Sequence, residues 1–382
     1  MARKSDTYNS EPFGSPRKGE KRTFLGTLLV IILLALTISM SVALCIAYLT
    51  PHVAPSTFGS LTIVGIFAPM LYMGVAVCML LWLVSGYWKI ALIVAVLLLP
   101  GLFHFSDFYN IDFVRKVEEN PSRRSFTLMS YNVRGFYDDS SRRAIDDYIT
   151  YFSENELVDV MCFQEYALHI RGVERLDSLF RARYDNIYSN DVVEAGEVVL
   201  RTYSRFPIIA SGNISGEGRG TSQWVDIVIA NNDTLRVFNN HLHTMSISAV
   251  DSEDIADGRI LQDGDRMRSI VERIANNSTI RAEYVDTLRK VIESSPYRNV
   301  ICGDFNDTPM SYVYGEMIED HVDAFVQSGS GYGYTFRPMY GTLRIDYIMH
   351  SPFIETESYV IDENAVMSDH LPVVARMNIG SR

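Results

Sequence analysis

The fold of this chain is decided around the stretch VICGDFNDTP, which occupies residues 300–309. Its apolar first residues predict a buried strand that ends at Gly303 in a polar loop, and Pro309 excludes a return to the ladder. Asp304 and Asn306 stand two positions apart, so an extended strand end would aim both side chains to the same side. An Asp- and Asn-rich turn would give the same pattern in isolation. Loops after buried strands often carry catalytic groups, because a rigid sheet positions them.

Other predicted strands also end in polar groups of the kind that bind metals and phosphates. Taken singly, each residue could instead have a purely structural role: Asp346 could pair with Arg344, and His241 could be a loop histidine whose ring nitrogens are hydrogen-bonded. Clustered carboxylates repel one another unless a cation joins them, so many such endings favour one metal-dependent site. The strand ends concerned are Asn132, Glu165, His241, Asp304 with Asn306, Asp346, and Asp369 with His370.

The residue types in this set suit hydrolysis of a phosphate ester. Glu165, Asn132 and Asp369 offer hard oxygen ligands, and no Cys/His spacing suggests zinc, so the pattern favours Mg²⁺ or Mn²⁺. Such a cation polarises a phosphoryl oxygen. His370 can accept a proton from water if a carboxylate such as Asp346 holds its tautomer.

Seven short motifs carry a resemblance to a known family. They are SYNVRGF at 130–136, CFQEY at 162–166, YSRFPI at 203–208, NNHLHT at 239–244, CGDFNDTP at 302–309, RIDYI at 344–348 and SDHLPV at 368–373. With these motifs in this order, residues 125–380 resemble the endonuclease/exonuclease/phosphatase superfamily, which includes pancreatic deoxyribonuclease, neutral sphingomyelinases and inositol polyphosphate phosphatases. The apolar N-terminal region resembles that of membrane-anchored bacterial members.

The resemblance implies a fold and a set of roles. The fold is a four-layered α/β sandwich, two mixed sheets face to face with helices outside. Glu165 is then the principal metal ligand with Asn132 beside it, and Asp369 completes the metal site. The implied catalytic residues are His241 as general acid or transition-state stabiliser, Asp304 and Asn306 as the pair that orients the attacking water, and Asp346 as the partner of His370, which is base or phosphate-binding group.

The net charge of the C-terminal two thirds of the chain limits the class of substrate that we expect. Residues 126–382 contain 23 Lys and Arg against 39 Asp and Glu, a net charge of −16, with Lys290 as their single lysine. Tight binding of duplex DNA needs many basic contacts to phosphates, so the composition disfavours it. Arg134, Arg205 and Arg344 are the predicted substrate-binding arginines. We expect a lipid head group, a nucleotide or another small phosphoester rather than duplex nucleic acid, and no obligate protein partner is evident.

The N-terminal third has a different composition. Residues 1–22 are polar and basic and predict a disordered tail. Residues 23–105 contain uncharged runs at 24–49 and 61–87, and a third at 90–105 that is marginal in length and contains Pro100. We therefore predict two or three transmembrane helices, a linker at 106–124 and a catalytic domain at 125–382.

The basic tail predicts the orientation. Lys and Arg beside the first span stay on the cytoplasmic side, so three spans place the catalytic domain on the periplasmic side of a bacterial inner membrane. If the third run does not cross, the domain is cytoplasmic. The four cysteines lie in apolar runs and suggest buried thiols rather than a disulfide framework.

Two other functions remain open from the sequence. One is a metal-dependent nuclease, and the other is a catalytically silent protein that binds phospholipid or a partner. The complete set of polar strand ends favours the enzyme over the silent protein.

Overall fold

The computed structural model describes residues 23–111, 124–138, 142–194, 197–216, 218–229, 233–246, 251, 254–255 and 257–379. The predicted tail at 1–22 and most of the predicted linker, residues 112–123, lie outside this set. The chain divides into two compact units. Of the described residues, those within 23–49 and 67–104 form the first unit, and those within 50–66 and 105–379 form the second.

The first unit is built from apolar helices. They are α1 (Phe24–Leu49), α4 (Ala68–Val84) and most of α5 (Trp88–Phe108). The helical segments 24–52 and 88–108 are long and apolar enough to cross a membrane, by length and composition, whereas α4 has only 17 residues. The side chains of Leu44, Val75, Val94 and Leu98 pack together, and the Trp82 indole donates to Thr37 Oγ1 at 2.9 Å.

Two of the apolar runs differ from their predicted form. The run at 61–87 is not one helix: α3 (Leu61–Ile66) ends before Phe67 and belongs to the second unit. The run at 90–105, expected to be marginal, lies within the continuous 21-residue helix α5, which contains Pro100. A proline inside a helix removes one backbone hydrogen bond but need not end the helix when packing supports it.

The second unit contains the remaining elements. Its helices are α2 (Pro55–Phe58), α3, α6 (Ile145–Glu154), α7 (Val173–Arg183), α8 (Gly264–Glu293), α9 (Tyr312–Ile318), α10 (Ala324–Ser328) and α11 (Pro338–Gly341). Its strands are β1 (Tyr109–Asn110), β2 (Arg124–Asn132), β3 (Val160–Gln164), β4 (Tyr188–Glu194), β5 (Glu197–Ser204), β6 (Ile208–Ser215), β7 (Gly220–Val228), β8 (Thr234–Leu242), β9 (Arg298–Asp304), β10 (Val322–Asp323), β11 (Gly331–Tyr332), β12 (Asp346–His350), β13 (Ile354–Ile361) and β14 (Val373–Ile379).

Twelve of the described strands form two six-stranded mixed sheets, and β1 pairs with β11 in a separate two-stranded sheet. Sheet I has the order β13-β14-β2-β3-β5-β4, and sheet II has the order β10-β12-β9-β8-β7-β6. Each sheet contains one parallel pair near its middle, β2 with β3 and β8 with β9, and its other pairings are antiparallel. Because parallel strands need a crossover, α6 and α8 connect these pairs.

Three apolar clusters hold the layers together. One lies between the two sheets and includes Leu128, Val160 and Val300. A second packs α6 and α7 on the outer face of sheet I, and a third packs α8 and α9 on the outer face of sheet II. The order helix, sheet, sheet, helix confirms the predicted four-layered α/β sandwich.

In the sequence, the polar and acidic stretch at 246–265 predicts an exposed loop and the apolar spacing at 281–293 predicts a helix, but the structure before β9 differs. Helix α8 begins at Gly264, where the Asp263 side chain caps it by accepting from Arg266 N at 3.0 Å, and it runs for 30 residues. Asp251 and Asp254, expected in an exposed loop, are buried and pair with arginines. Paired charges explain this burial, since an ion pair lowers the cost of removing a carboxylate from water.

Candidate active site

The strand topology brings the polar strand ends together at one edge of the sandwich. In sheet I, β2 and β3 run parallel and end at Asn132 and just before Glu165. In sheet II, β8 and β9 run parallel with His241 opposite Asp304. Antiparallel neighbours begin where these strands end: β12 starts at Asp346, opposite Asp304, and β14 starts three residues after His370. The two sheets therefore present their polar groups to one pocket.

Asp346 and His370 form a buried pair. His370 Nδ1 lies 2.9 Å from Asp346 Oδ2, and the backbone N–H of Asp346 donates to Thr335 Oγ1 at 3.0 Å. A donor at Nδ1 leaves Nε2 as the ring atom that approaches the pocket, 3.7 Å from Asp304 Oδ2. The Phe336 ring packs against the imidazole at 5.0 Å between centroids. The contact with Asp346 therefore fixes the orientation of the His370 ring.

Burial and charge act in opposite directions on this pair. Burial alone would lower the pKa of His370, but the carboxylates of Asp346 and Asp304 outweigh it and raise that pKa to about 10. Burial raises the pKa of Asp346 to about 6, although the imidazolium opposes the shift. Both directions are consistent with a charged ion pair at neutral pH. Asp346 does not pair with Arg344.

Asp304 is held on both oxygens. Its Oδ1 accepts from the backbone N–H of Asn306 at 2.8 Å, and its Oδ2 accepts from the side-chain amide of Asn132 at 3.0 Å. The Asn306 amide donates to the Leu242 carbonyl at 3.0 Å. Asn306 has a φ of 50°, so the strand end is not extended as expected, yet both residues still line the pocket.

Glu165 lies opposite Asp304 and is more exposed. The Asn132 amide donates to Glu165 Oε1 at 3.0 Å, and His241 Nε2 lies 3.5 Å from the same oxygen and 3.8 Å from Asp304 Oδ2. The Glu165 side chain is 42% exposed, which leaves it open to the pocket. Asn132 thus bridges two carboxylates as a donor, while its oxygen accepts from the Arg134 N–H at 3.0 Å.

The carboxylates of Glu165 and Asp304 fit a divalent cation. They belong to different sheets but accept hydrogen bonds from the same amide, so their negative charges are held close together. A hard cation with oxygen ligands neutralises such a pair. Asp304, Asp346 and His370 also offer ligand atoms that lie within 4.8 Å of one another, so this cluster is a second place where a cation could bind.

The predicted third metal ligand, Asp369, and the predicted substrate-binding arginines do not all take the positions that the sequence predicts. Asp369 lines the pocket but pairs with Arg134, whose Nε lies 3.4 Å from its Oδ2. Arg205 pairs with Asp159 at 2.7 Å, before β3, at the opposite end of that strand from Glu165.

Arg344 does not line the pocket. It is 2% exposed, bonds the Asp323 carboxylate and stacks near the ring of Phe325. Of the three predicted substrate-binding arginines, only Arg134 therefore lies at the pocket. An arginine in an isolated sequence carries no sign of whether its partner is a substrate or a buried carboxylate.

Several pocket residues were not predicted. The cavity has a volume of about 560 Å³, and its wall includes Thr221, His243, Thr244 and Phe336. His243 Nδ1 contacts the Gly218 carbonyl at 2.9 Å. The motif NNHLHT contained a signal for His243, because residues 241 and 243 project to the same side of a strand. Phe336 lies in a loop and gave no such signal.

The comparisons with known proteins agree with this architecture. The sequence model described as the Endonuclease/Exonuclease/phosphatase family matches residues 129–370. A second, described as a domain of unknown function (DUF8431), matches residues 28–108. No curated protein matches the chain by sequence.

Solved structures are similar at low identity. An endonuclease/exonuclease/phosphatase from Beutenbergia cavernae is 18% identical, with a TM-score of 0.49 over 68% of this chain and 72% of that one. A family protein from Bacteroides thetaiotaomicron is 18% identical, with a TM-score of 0.48 over 68% and 99%. At these values the likeness concerns the fold alone, and the assignment rests on the sequence match. The chain belongs to the endonuclease/exonuclease/phosphatase family.

Proposed function

We propose that this protein is a divalent-metal-dependent phosphoesterase that its apolar helices tether to a membrane. Family members are typically hydrolases of phosphate esters. The observation that carries the proposal is the convergence of Glu165 and Asp304 on one amide, beside a histidine whose ring Asp346 orients. Charge pairs perturbed by burial in a cleft are a mark of functional sites.

The roles follow from the contacts. Glu165 and Asp304, with Asn132 between them, would hold a Mg²⁺ or Mn²⁺ ion, and such an ion would supply Lewis-acid polarisation of the phosphoryl oxygen. Asp304, whose two oxygens are fixed by Asn306 and Asn132, orients the attacking water and accepts its proton. The geometry does not require His370 to be the base.

The histidines act on the phosphoryl group and the leaving group. His370 presents Nε2 to the pocket and binds a phosphoryl oxygen. His241, which is 24% exposed and lies on the Glu165 side, stabilises or protonates the leaving oxygen. Preorganised donors of this kind stabilise charge that develops in the transition state.

The substrate class is a small phosphoester. Among the described residues that line the pocket, only Arg134 is a lysine or an arginine. The carboxylate of Asp369 partly neutralises its charge. Residues 126–382 are strongly acidic, which opposes binding along a duplex. A lipid head group or a nucleotide is better matched to one guanidinium and a cavity of about 560 Å³.

The test is a substrate panel with the full chain in detergent or nanodiscs. It contains duplex DNA, RNA, sphingomyelin, phosphatidylinositol phosphates, nucleotides, and a chromogenic diester with its monoester. We expect hydrolysis of a lipid or nucleotide substrate that a chelator abolishes and Mg²⁺ or Mn²⁺ restores. Full activity in the chelator would contradict the metal dependence. Binding of phospholipid without any hydrolysis would favour the silent membrane protein, and preference for DNA would favour the nuclease.

The location is proposed as well. We infer that the catalytic unit lies on the periplasmic side of a bacterial inner membrane, because a basic N-terminus followed by three crossings, of α1, α4 and α5, would favour that side. Helices α1 and α5 have the length and composition to span, which supports anchoring.

A further inference from the structure

The loop that follows Asp304 is buried along its whole length. Every residue from 304 to 311 is buried, although residues 305–311 belong to no helix or strand. A buried irregular loop needs partners for its backbone polar groups, because unpaired groups are costly away from water. The partners of this loop therefore decide where Asp304 and Asn306 lie.

One partner comes from far away in the sequence. Thr50, which is 4% exposed, donates its hydroxyl hydrogen to the Met310 carbonyl at 2.7 Å, across 260 positions. Gly65 also approaches this carbonyl: a Cβ on Gly65 would lie 2.2 Å from the Met310 oxygen. The segment 50–66, between α1 and α4, thus contacts the loop through both of its ends.

The same segment packs against the helices on either side of the loop. A Cβ on Gly315, in α9, would lie 2.6 Å from the Pro51 carbonyl oxygen. A Cβ on Gly59 would lie 3.1 Å from the Ala275 carbonyl oxygen, in α8. The approach at Gly315 leaves no room for a Cβ, and the approach at Gly59 would make one a tight contact. The segment is therefore fitted to the catalytic unit and does not merely connect two apolar helices.

The opposite side of the loop is held by a buried ion pair. Arg281 of α8 is 0% exposed and contacts Asp307 Oδ2 at 3.1 Å. Its guanidinium also donates to the His243 carbonyl at 3.1 Å, in the chain that follows His241. The loop is thus fixed between Arg281 and the segment 50–66.

We propose that Thr50 is a positioning residue for the reaction and that residues 50–66 are an integral part of the catalytic unit. Thr50 fixes the Met310 carbonyl and, through the short loop, the placement of Asp304 and Asn306. This inference rests on the proposed function for its kinetic consequence, but the contact itself does not. A fragment that begins after the apolar region would lack this support.

The test uses three variants of the full chain in detergent. Thr50→Val keeps the shape but removes the hydroxyl, Thr50→Ser keeps the hydroxyl, and Thr57→Val is the control at an exposed threonine of the same segment. We expect Thr50→Val to lower kcat by about tenfold with KM within about twofold, because one buried hydrogen bond is lost. Thr50→Ser should restore most of kcat, and Thr57→Val should match the wild type.

Hydrogen exchange gives a readout that does not depend on activity. In Thr50→Val the amides of residues 305–308, 310 and 311 should exchange faster by about tenfold, while those of sheet I stay unchanged. Unchanged exchange, or faster exchange with an unchanged kcat, would overturn the positioning role. If the wild type hydrolyses no phosphoester, the proposed function fails, and the exchange comparison still decides whether Thr50 holds the loop.

Discussion

Glu165 and Asn306 have left-handed backbone conformations, with φ of 51° and 50°. Residues other than glycine rarely adopt this region, and it costs roughly 1 kcal/mol or more unless the surroundings impose it. Glu165 directly follows β3, Asn306 lies two residues after the end of β9, and both residues line the pocket. The strain is consistent with a backbone that is bent to aim a functional side chain.

At the same scale, Asp346 and His370 should act as one unit. Asp346→Asn and His370→Ala should each lower turnover by about two to four decades, the usual range for acid–base groups. The double variant should be little worse than the poorer single variant, because either change disables the same pair. Steady-state rates and melting temperatures measure this.

The control for this pair is Asp226→Asn, which removes a buried carboxylate paired with Arg236 at 2.7 Å, away from the pocket. It should lower the melting temperature and leave most of the turnover. Losses in rate that add between Asp346→Asn and His370→Ala would remove Asp346 from the active site.

Glu165→Gln should weaken metal dependence. The change removes one unit of negative charge where the two carboxylates converge, so the Mg²⁺ concentration for half-maximal activity should rise by about tenfold or more, and turnover should fall. Glu283→Gln is the matched control, since Glu283 pairs with Arg219 on the exposed surface. Metal titrations of activity check this, and equal Mg²⁺ dependence of both variants would argue against a ligand role.

At the scale of elements, the two parallel strand pairs position the side chains of the site. Strands β8 and β9 approach closely where β9 ends: Gly303 has a φ of 136°, and a Cβ there would lie 2.0 Å from the Asn240 carbonyl oxygen. The glycine therefore serves both the backbone angle and the spacing of the strands that carry His241 and Asp304.

Gly303→Ala should separate these strands or distort their ends. We expect a loss of several kcal/mol in the free energy of unfolding, from steric overlap and the unfavourable φ, and a large loss of activity. Gly264→Ala is the control, since nothing lies within 4 Å of its added Cβ at the start of α8. Chemical denaturation checks this; a Gly303→Ala variant as stable as Gly264→Ala would contradict the close approach.

At the scale of the whole molecule, the two units constrain the membrane topology. The described residues of 50–66 and 105–379 belong to one compact unit, so in the proposed three-span topology we expect them on the same side of the membrane. This requires α4 to cross despite its 17 residues, which fits a thinner or locally adapted bilayer.

Reporters test this arrangement. A cysteine at the exposed position Ser60 and a fusion after Arg382 should report the same, periplasmic side. A fusion after Lys89 should report the cytoplasmic side. The cysteine at position 60 is labelled with a membrane-impermeant maleimide. Ser60 and the C-terminus on opposite sides would contradict the shared unit, and both on the cytoplasmic side would contradict the proposed location.

The sequence by itself determined the sandwich and the pocket residues that end strands. Alternation of strands and helices, with a polar group at each strand end, is a local pattern, and parallel strands bring such ends to one edge. For this reason Asn132, Glu165, His241, Asp304 and His370 meet as expected.

Only the tertiary structure decided which charges serve the site and what supports it. Arg344 and Arg205 pair with carboxylates elsewhere, Arg281 is buried behind the loop, and Thr50 reaches Met310 across 260 positions. The break of the apolar run before Phe67 has the same origin, since α3 packs on the catalytic unit. Local periodicity reports which face of an element is buried, but not against which distant partner, so these contacts follow only from the packed chain.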